Sequence, residues 1–283
     1  MNQTGIIIEG GAMRSVFAAG VLDFFMDNQI EVPNVLAVSA GAYAGMNYVS
    51  EQRGRTVESV VKPLEKEKYM GFSTFFRKGT FFDMDYLFDV VPKELSPFDL
   101  KTFTESAKRF LINITDCRTG KSVFYEKFES EEHFWKICRA ANSLPFISKV
   151  TKIDGTPALD GGMADAIPIK KAKEEGWDKI IFILTRKVEY RKKYRYFYMM
   201  MIRLVYRKYP EFIQTVHERD RKYNACLEEI NKMEKAGKAL VIRPINMAIT
   251  NNESNVKKLL EYYQQGYDEA AKREEEIRDF LLS

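Results

Sequence analysis

Histidine is scarce in this 283-residue chain, which carries only His133 and His217. His133 falls in a helical stretch beside Phe134 and Trp135, and His217 in a charged C-terminal helix, so neither sits on a loop after a strand. A Ser-His-Asp triad is therefore hard to build from this sequence. Cysteine is nearly as sparse: Cys117, Cys138 and Cys226 stand far apart without C-x-x-C spacing. That excludes a disulfide framework and a zinc ribbon, and fits a reducing, cytoplasmic compartment. No run approaches the about 18 apolar residues of a membrane span. The N-terminal stretch, Met-Asn-Gln-Thr-Gly-Ile-Ile-Ile-Glu, has no basic n-region or apolar core of a signal peptide. The expectation is a soluble or membrane-peripheral protein. A fixed-period repeat is also missing, which removes solenoids and propellers. The first glycine turn reads Gly10-Gly11-Ala12-Met13-Arg14-Ser15 and lacks the G-x-G-x-x-G of a dinucleotide site. Asp83 and Asp85 have no further acidic cluster near them in sequence, so neither a metal nor any other cofactor is expected.

What is present suffices for a large core: 45% of residues are hydrophobic and 30% charged. The net charge of +4 does not imply nucleic acid, and no nucleic-acid partner is expected. Its distribution is uneven. Residues 186 to 208 hold nine Lys or Arg against one acid, Glu189, a local +8 that leaves the remainder at −4. Such a block attracts a polyanion or an anionic lipid surface, or is simply a solvated helix face.

Thr4 to Ile8 reads as a strand ending at Gly10-Gly11, followed by a helix over Arg14 to Asn28. Val32 to Val38, the turn Ser39-Ala40-Gly41 and a small-residue helix from Ala42 to Val49 repeat the pattern. Two such units at the start predict a parallel α/β sheet with crossover helices. Further strands are expected at Phe110 to Thr115, Ser122 to Tyr125, Ala158-Leu159, Lys179 to Leu184 and Ala239 to Arg243. Helices are expected at Glu131 to Ala141, Ile169 to Glu175, Tyr190 to Lys208, Glu211 to Ala236 and Asn255 to Phe280. The division is a core over residues 1–187 with an insertion or lid near 51–109, then a mainly helical C-terminal region over 188–283. Between Tyr69 and Phe88 lie eight aromatics, where the chain average of 13% would give about three. This stretch reads equally as an apolar substrate channel or a satellite core. On a helical projection Tyr190, Tyr194, Phe197, Met201 and Leu204 form one stripe. It reads first as a core face, with an interfacial membrane helix as the alternative.

Three short motifs carry chemistry. Ala37-Val38-Ser39-Ala40-Gly41 lies where a strand ends and a helix begins; a nucleophilic serine there needs small residues two before and two after it. The helix that follows aims its free N–H groups and positive dipole end toward Ser39. Glu9-Gly10-Gly11-Ala12-Met13-Arg14 is a second strand-to-helix turn, whose glycines let N–H groups converge as a phosphate cradle or an oxyanion hole requires. Ala158-Leu159-Asp160-Gly161-Gly162 delivers a carboxylate at a strand end. With histidine so scarce, a base for Ser39 is sought among carboxylates.

These motifs, together with Ala141-Asn142-Ser143-Leu144-Pro145-Phe146, stand in the order and spacing of bacterial patatin-like phospholipases, which the chain resembles over residues 4 to 185. The resemblance implies a parallel-sheet α/β/α sandwich and acyl-ester hydrolysis of lipids by a Ser-Asp dyad without histidine. Ser39 would be the nucleophile and Asp160 the base, with Asp165 in reserve. The N–H groups of Gly10, Gly11 and Ala12 would hold the oxyanion. Arg14 would orient that loop or meet an anionic head group. The implied partners are a lipid or acyl-ester substrate and an anionic membrane surface. Three positions depart from the family pattern: Ala37 and Ala12 replace glycines, and Ser15 replaces the glycine after the arginine. Ala12 keeps its N–H and can donate if its φ stays negative. The alternatives are a Ser-His-Asp esterase using His133 or His217, and a catalytically weak lipid-binding or regulatory protein.

Overall fold

Short β-branched runs that stop at glycine or aspartate turns become eight strands: β1 (Thr4–Ile8), β2 (Asn34–Ala37), β3 (Arg109–Asp116), β4 (Ser122–Tyr125), β5 (Thr151–Ile153), β6 (Thr156–Asp160), β7 (Lys179–Ile183) and β8 (Ala239–Ile242). The computed structural model describes residues 4–67, 69–246 and 249–283. Met1, Asn2 and Gln3, which head the N-terminal stretch read above, together with Lys68, Met247 and Ala248, lie outside the described residues. The strands form one sheet along the path β5-β6-β3-β2-β1-β7-β8, with β4 also paired to β3. β1, β2, β3, β7 and β8 run parallel, while β4, β5 and β6 are antiparallel to their neighbours. The sheet is therefore mixed, not wholly parallel as the first two units suggested. Asp154 and Gly155, at φ 48° and 76°, make a two-residue hairpin turn that reverses the chain between β5 and β6.

One consequence of that reversal places the site. The Arg109 N–H donates to the Pro33 carbonyl, and the Cys117 N–H donates to the Pro157 carbonyl. Amides an even number of residues apart point to the same edge of a strand, so β2 and β6 share one edge of β3. β2 ends at Ala37 opposite Ile112, and β6, running the other way, ends at Asp160 opposite Ile114. Their C-terminal ends meet head to head, roughly 7 Å apart along β3 at 3.3 Å per residue.

The described residues form ten α-helices: α1 (Val16–Asp27), α2 (Gly41–Val49), α3 (Phe72–Lys78), α4 (Leu100–Glu105), α5 (Glu131–Ala141), α6 (Ile169–Glu174), α7 (Tyr196–Val205), α8 (Pro210–Lys235), α9 (Val256–Ala271) and α10 (Glu274–Leu282). Their ends follow local chemistry. Ser130 caps α5 by accepting from the His133 N–H at 3.1 Å, and Pro210 opens α8 where no backbone donor is needed. The first helix starts with a 3-10 turn, Ala12–Ser15. The single helix expected from Asn255 to Phe280 breaks into α9 and α10 at Lys272-Arg273. The helix expected from Tyr190 begins only at Tyr196. The 51–109 segment holds α3, α4 and two π-helical stretches, Val57–Val61 and Tyr86–Leu95, the second containing Pro92, which cannot donate to an ordinary helical ladder.

α1 is buried from Val16 to Phe25 because α9 lies on its outer face. The two backbones nearly touch: a Cβ on Gly20 would lie 2.0 Å from the Tyr263 carbonyl oxygen, and one on Gly266 2.1 Å from that of Phe17. Around this seam the Tyr263 hydroxyl donates to Asp23 at 2.5 Å and the Tyr267 hydroxyl to Asp27 at 3.0 Å. In an open helix, Gly20→Ala would stabilise by about 1 kcal/mol through propensity. Here it is expected to destabilise by about 2 kcal/mol or more, because backbone cannot yield as a side chain can. A lowered urea midpoint at unchanged slope is the expected result; a raised one would contradict the seam.

Candidate functional site

Ser39 follows the buried end of β2 and sits at φ 54°, left-handed backbone that costs a non-glycine residue on the order of 1 kcal/mol. The turn is locked from both sides. Gly41 and Ala42 donate their N–H groups to the Val38 and Ser39 carbonyls, each at 2.9 Å. Gly10 lies so close that a Cβ there would meet the Ser39 Cβ at 2.6 Å, and one on Gly41 would meet the Ile8 side chain at 2.9 Å. The small residues flanking Ser39 are thus contact requirements. α2 starts at Gly41, so its N-terminal end faces the serine.

Asp160 arrives from the opposite direction on β6, 1% exposed. Its Oδ2 accepts a hydrogen bond from the Ser39 hydroxyl, and its Oδ1 accepts the Gly162 N–H at 2.8 Å, so both oxygens are fixed. Its own amide donates to the Ser143 carbonyl at 2.8 Å, giving the Ala141 to Phe146 segment a structural task. Burial pushes the Asp160 carboxyl up to about 6, against the opposing pull of the Ser39 and Gly162 bonds and the positive charges of Arg219 and Lys192. Arg219, on α8, also donates to the Gly162 carbonyl at 2.7 Å, bracing the turn behind Asp160.

Gly10, Gly11 and Ala12 line the same cavity as Ser39 and Asp160. Among the described residues their N–H groups donate to no protein acceptor, nor does that of Ala40, the residue after the serine. Ala12 stands at φ 50°, not at the negative φ that alanine favours. Its departure from glycine therefore carries strain as well as a methyl group. Arg14 is nine-tenths buried and its Nε has no hydrogen-bond partner; burial and nearby Arg186 lower its pKa. Glu9 is tied down by Thr185, whose N–H donates at 2.7 Å, and by the Tyr223 hydroxyl at 2.7 Å, which fastens α8 to the glycine turn.

The other candidates lie elsewhere. His133 stands beside Asp154, and the His217 ring packs on Tyr194 at 5.5 Å; neither lines a cavity that reaches Ser39. Asp165 is pushed up to about 6 by burial, but it too lies outside those cavities. Asp83 pairs with Lys78 at 2.8 Å and Asp85 with Arg139 at 2.6 Å. Glu9 and Ser143 stood inside the motifs without a role of their own, and Arg219 was not singled out by sequence. Only the Glu9 carboxylate inside an otherwise apolar strand end offered a signal.

Two cavities meet at Ser39. One, of 320 Å³, is lined by the glycine turn, Asp160 and several cations. The other, of 80 Å³, is apolar and walled by Val16, Tyr43, Tyr69, Phe82, Met84 and Phe88. The aromatic stretch divides accordingly: Tyr69 and Phe88 are buried and Phe82 half-buried in that wall, whereas Phe72 and Phe76 of α3 are exposed. α7, whose Tyr198 and Met199 line the larger cavity with residues 144, 145 and 147, buries Met199 and Ile202 but exposes Phe197 by 70% and Leu204 by 66%. Of the stripe read first as a core face, Tyr194, Phe197 and Leu204 are exposed while Tyr190 and Met201 are half-buried, since α7 packs through the adjoining face. Among the described residues no helix is long and apolar enough to cross a membrane.

A family described as patatin-like phospholipase matches residues 6–173, and a domain of unknown function, DUF6363, matches residues 209–282. The uncharacterized protein YjjU of Escherichia coli is 28% identical over 189 residues, 65% of this chain and 52% of its own. Lysophospholipase NTE1 of Candida albicans is 25% identical over 207 residues, covering 68% of this chain but 14% of the yeast protein. The chain thus spans about half of the bacterial relative and a small part of the yeast one. The crystal structure of VipD from Legionella pneumophila shares the fold at a TM-score of 0.50 and 11% identity, over 96% of this chain and 66% of that one. With more than half of its residues inside the family match, the chain belongs to the patatin-like phospholipases.

Proposed function

We propose that the protein is a serine lipid acyl hydrolase, a phospholipase A or esterase that works through a Ser39-Asp160 dyad in the cytoplasm and at membrane surfaces. The observation that carries this reading is the Ser39 hydroxyl donating to a buried, doubly anchored carboxylate at the junction of two unlike cavities. Ser39 Oγ attacks the acyl carbonyl as its proton passes to Asp160 Oδ2. The N–H groups of Gly10, Gly11 and Ala12 take the charge that develops on the carbonyl oxygen. The intermediate collapses, and the leaving alcohol takes the proton from Asp160. Water then attacks the acyl-enzyme, giving its proton to Asp160, which returns it to Ser39 as the carboxylic acid departs. The left-handed serine keeps its hydroxyl clear of the helix, and burial places the base nearer neutrality than an exposed aspartate.

The same reading sets α7 on an anionic lipid surface, its exposed Tyr196, Phe197, Met200 and Leu204 entering the interface while Arg203 and Arg207 meet head groups. This contact lies beside the cavity wall, because Phe146 packs on Tyr198 at 5.6 Å and on Tyr206 at 5.8 Å.

Labelling by a fluorophosphonate and mapping of the modified residue test the nucleophile. Ser39→Ala is expected to lose labelling and to lose ester hydrolysis by a factor on the order of 10³ or more. Asp160→Asn should lose a similar amount, since the two act as a unit, whereas folded His133→Gln and His217→Gln should stay active. A dead but folded histidine variant would favour the triad, and lipid binding without any labelling would favour a regulatory protein.

The pH profile tests the base. With the Asp160 carboxyl raised to about 6, kcat/KM for a soluble ester should climb through a midpoint near pH 6 and level off above it. A raised folded pKa means the native state binds this proton more tightly than the unfolded chain, so protonating Asp160 does not weaken the fold. The acid limb should therefore reverse on readjustment, and a profile that stays flat well below pH 6 would remove Asp160 as base.

For the surface, the double variant Phe197→Asp and Leu204→Asp should sediment poorly with phosphatidylglycerol vesicles yet hydrolyse a soluble ester normally. Equal sedimentation of both proteins at low and high salt would rule out α7 as the contact.

A further inference from the structure

An ester whose carbonyl sits at Ser39 must send its acyl half one way and its alcohol half another. The two cavities share Ser39, Ala12 and Leu144 and differ in everything else. The apolar one suits the acyl chain. The larger one is lined by six cations, Arg14, Arg186, Lys192, Lys193, Arg195 and Arg219, against three acids. Two of the acids are committed: Glu9 to Thr185 and Tyr223, and Asp160 to Ser39 and Gly162. The third is Asp220. Among the described residues none of the six cations is in an ion pair.

Three of these cations are seated on ring faces: Arg186 over Tyr190 at 4.1 Å, Lys192 over Tyr223 at 3.9 Å and Arg195 over Tyr198 at 5.7 Å. Two conclusions follow. Tyr190 and Tyr198 line the cavity, and the ring faces that could otherwise help to cage a quaternary ammonium carry Arg186 and Arg195. The cations are also positioned without spending a carboxylate on them. Arg14 adds a buried guanidinium whose Nε lacks a partner beside the glycine turn, a costly arrangement that an anion with several acceptor oxygens relieves. A choline or ethanolamine head group would bring a further positive charge into a cavity whose charged side chains are mainly basic. An uncharged glycerol would leave Arg14 as it is.

We propose that this cavity is a head-group subsite selecting acyl esters whose alcohol carries a phosphate monoester, with the acyl chain in the apolar pocket across Ser39. The inference rests on the acyl-hydrolase reading above. A phosphate monoester supplies three acceptor oxygens and nearly two negative charges to the cations around it.

The test uses three substrates with one short acyl chain, kept below their micelle-forming concentrations so that α7 plays no part: 1-hexanoylglycerol 3-phosphate, 1-hexanoylglycerophosphocholine and 1-hexanoylglycerol. The phosphate monoester should exceed both others in kcat/KM by about tenfold or more. Arg186→Gln, Lys193→Gln and Arg195→Gln combined should erase that preference, bringing kcat/KM for the phosphate monoester down to the level of 1-hexanoylglycerol. Calorimetric titration of the Ser39→Ala protein gives a readout independent of turnover: glycerol 3-phosphate should bind, glycerol should not, and the triple substitution should abolish binding. Equal kcat/KM for all three esters would overturn the subsite and leave the hydrolase standing. Inorganic phosphate binding as tightly as glycerol 3-phosphate would make the cavity a free-phosphate site and overturn the head-group assignment. Failure of Ser39 to label and of every ester to react would sink the hydrolase reading, and the titration would still decide the cavity.

Discussion

Everything at the site depends on two strands meeting end to end along one edge of β3. β2 brings Ser39 from below and β6 brings Asp160 from above, with one β3 residue, Asn113, between their last partners. Had β6 run parallel to its neighbours, as strands in such sheets commonly do, its aspartate would have left the sheet on the same side as the serine only after a longer connection. The antiparallel hairpin at Asp154-Gly155 makes the approach direct, and the close contacts around it follow. A Cβ on Gly161 would lie 2.2 Å from the Asn113 side-chain oxygen, so the turn after Asp160 presses on β3 as closely as Gly10 presses on Ser39.

The electrostatics around that meeting point are one-sided. Burial raises the Asp160 carboxyl, while Arg219 and Lys192 pull it back down. The same burial, with Arg219 next to it, drives Lys192 well below the usual lysine range. Cations crowd this side because α8 and the chain from Arg186 to Arg195 fold over the parallel end of the sheet, where helix N-termini already concentrate positive potential. Residues beyond the three short motifs thus set the field in which Ser39 and Asp160 stand, and Tyr223 through Glu9 ties them mechanically to the glycine turn.

Much of this was legible in the sequence because short-range chemistry dictated it. The Gly10-Gly11 and Ser39 turns, β4 and α5 lie where periodicity and caps put them. Asp160 was legible as a carboxylate at a strand end, whereas its partnership with Ser39 across 121 positions was only implied by a family resemblance. Sheet direction was not readable: β5 has three residues, too few for a periodicity, and its Asp-Gly turn is the one local sign of reversal. The α7 stripe misled because helical spacing identifies an apolar face without saying what covers it. Met199 and Ile202, one step around the helix, pack inward instead. The break between α9 and α10 has no proline or glycine to announce it.

The seam between α1 and α9 bears on how the chain reaches its native state. α1 is apolar on nearly all sides, and the surface that shields its outer face is contributed by residues about 240 positions later. β8 likewise joins the sheet long after β1 and β7. During synthesis the N-terminal half emerges with its serine turn encoded but with a sticky helix uncovered, and only the final stretch of polypeptide closes it. Contacts so distant in sequence slow folding and prolong exposure to aggregation. The last fifty residues therefore supply the cover that the first fifty lack, and a chain that stops short of α9 leaves α1 uncovered.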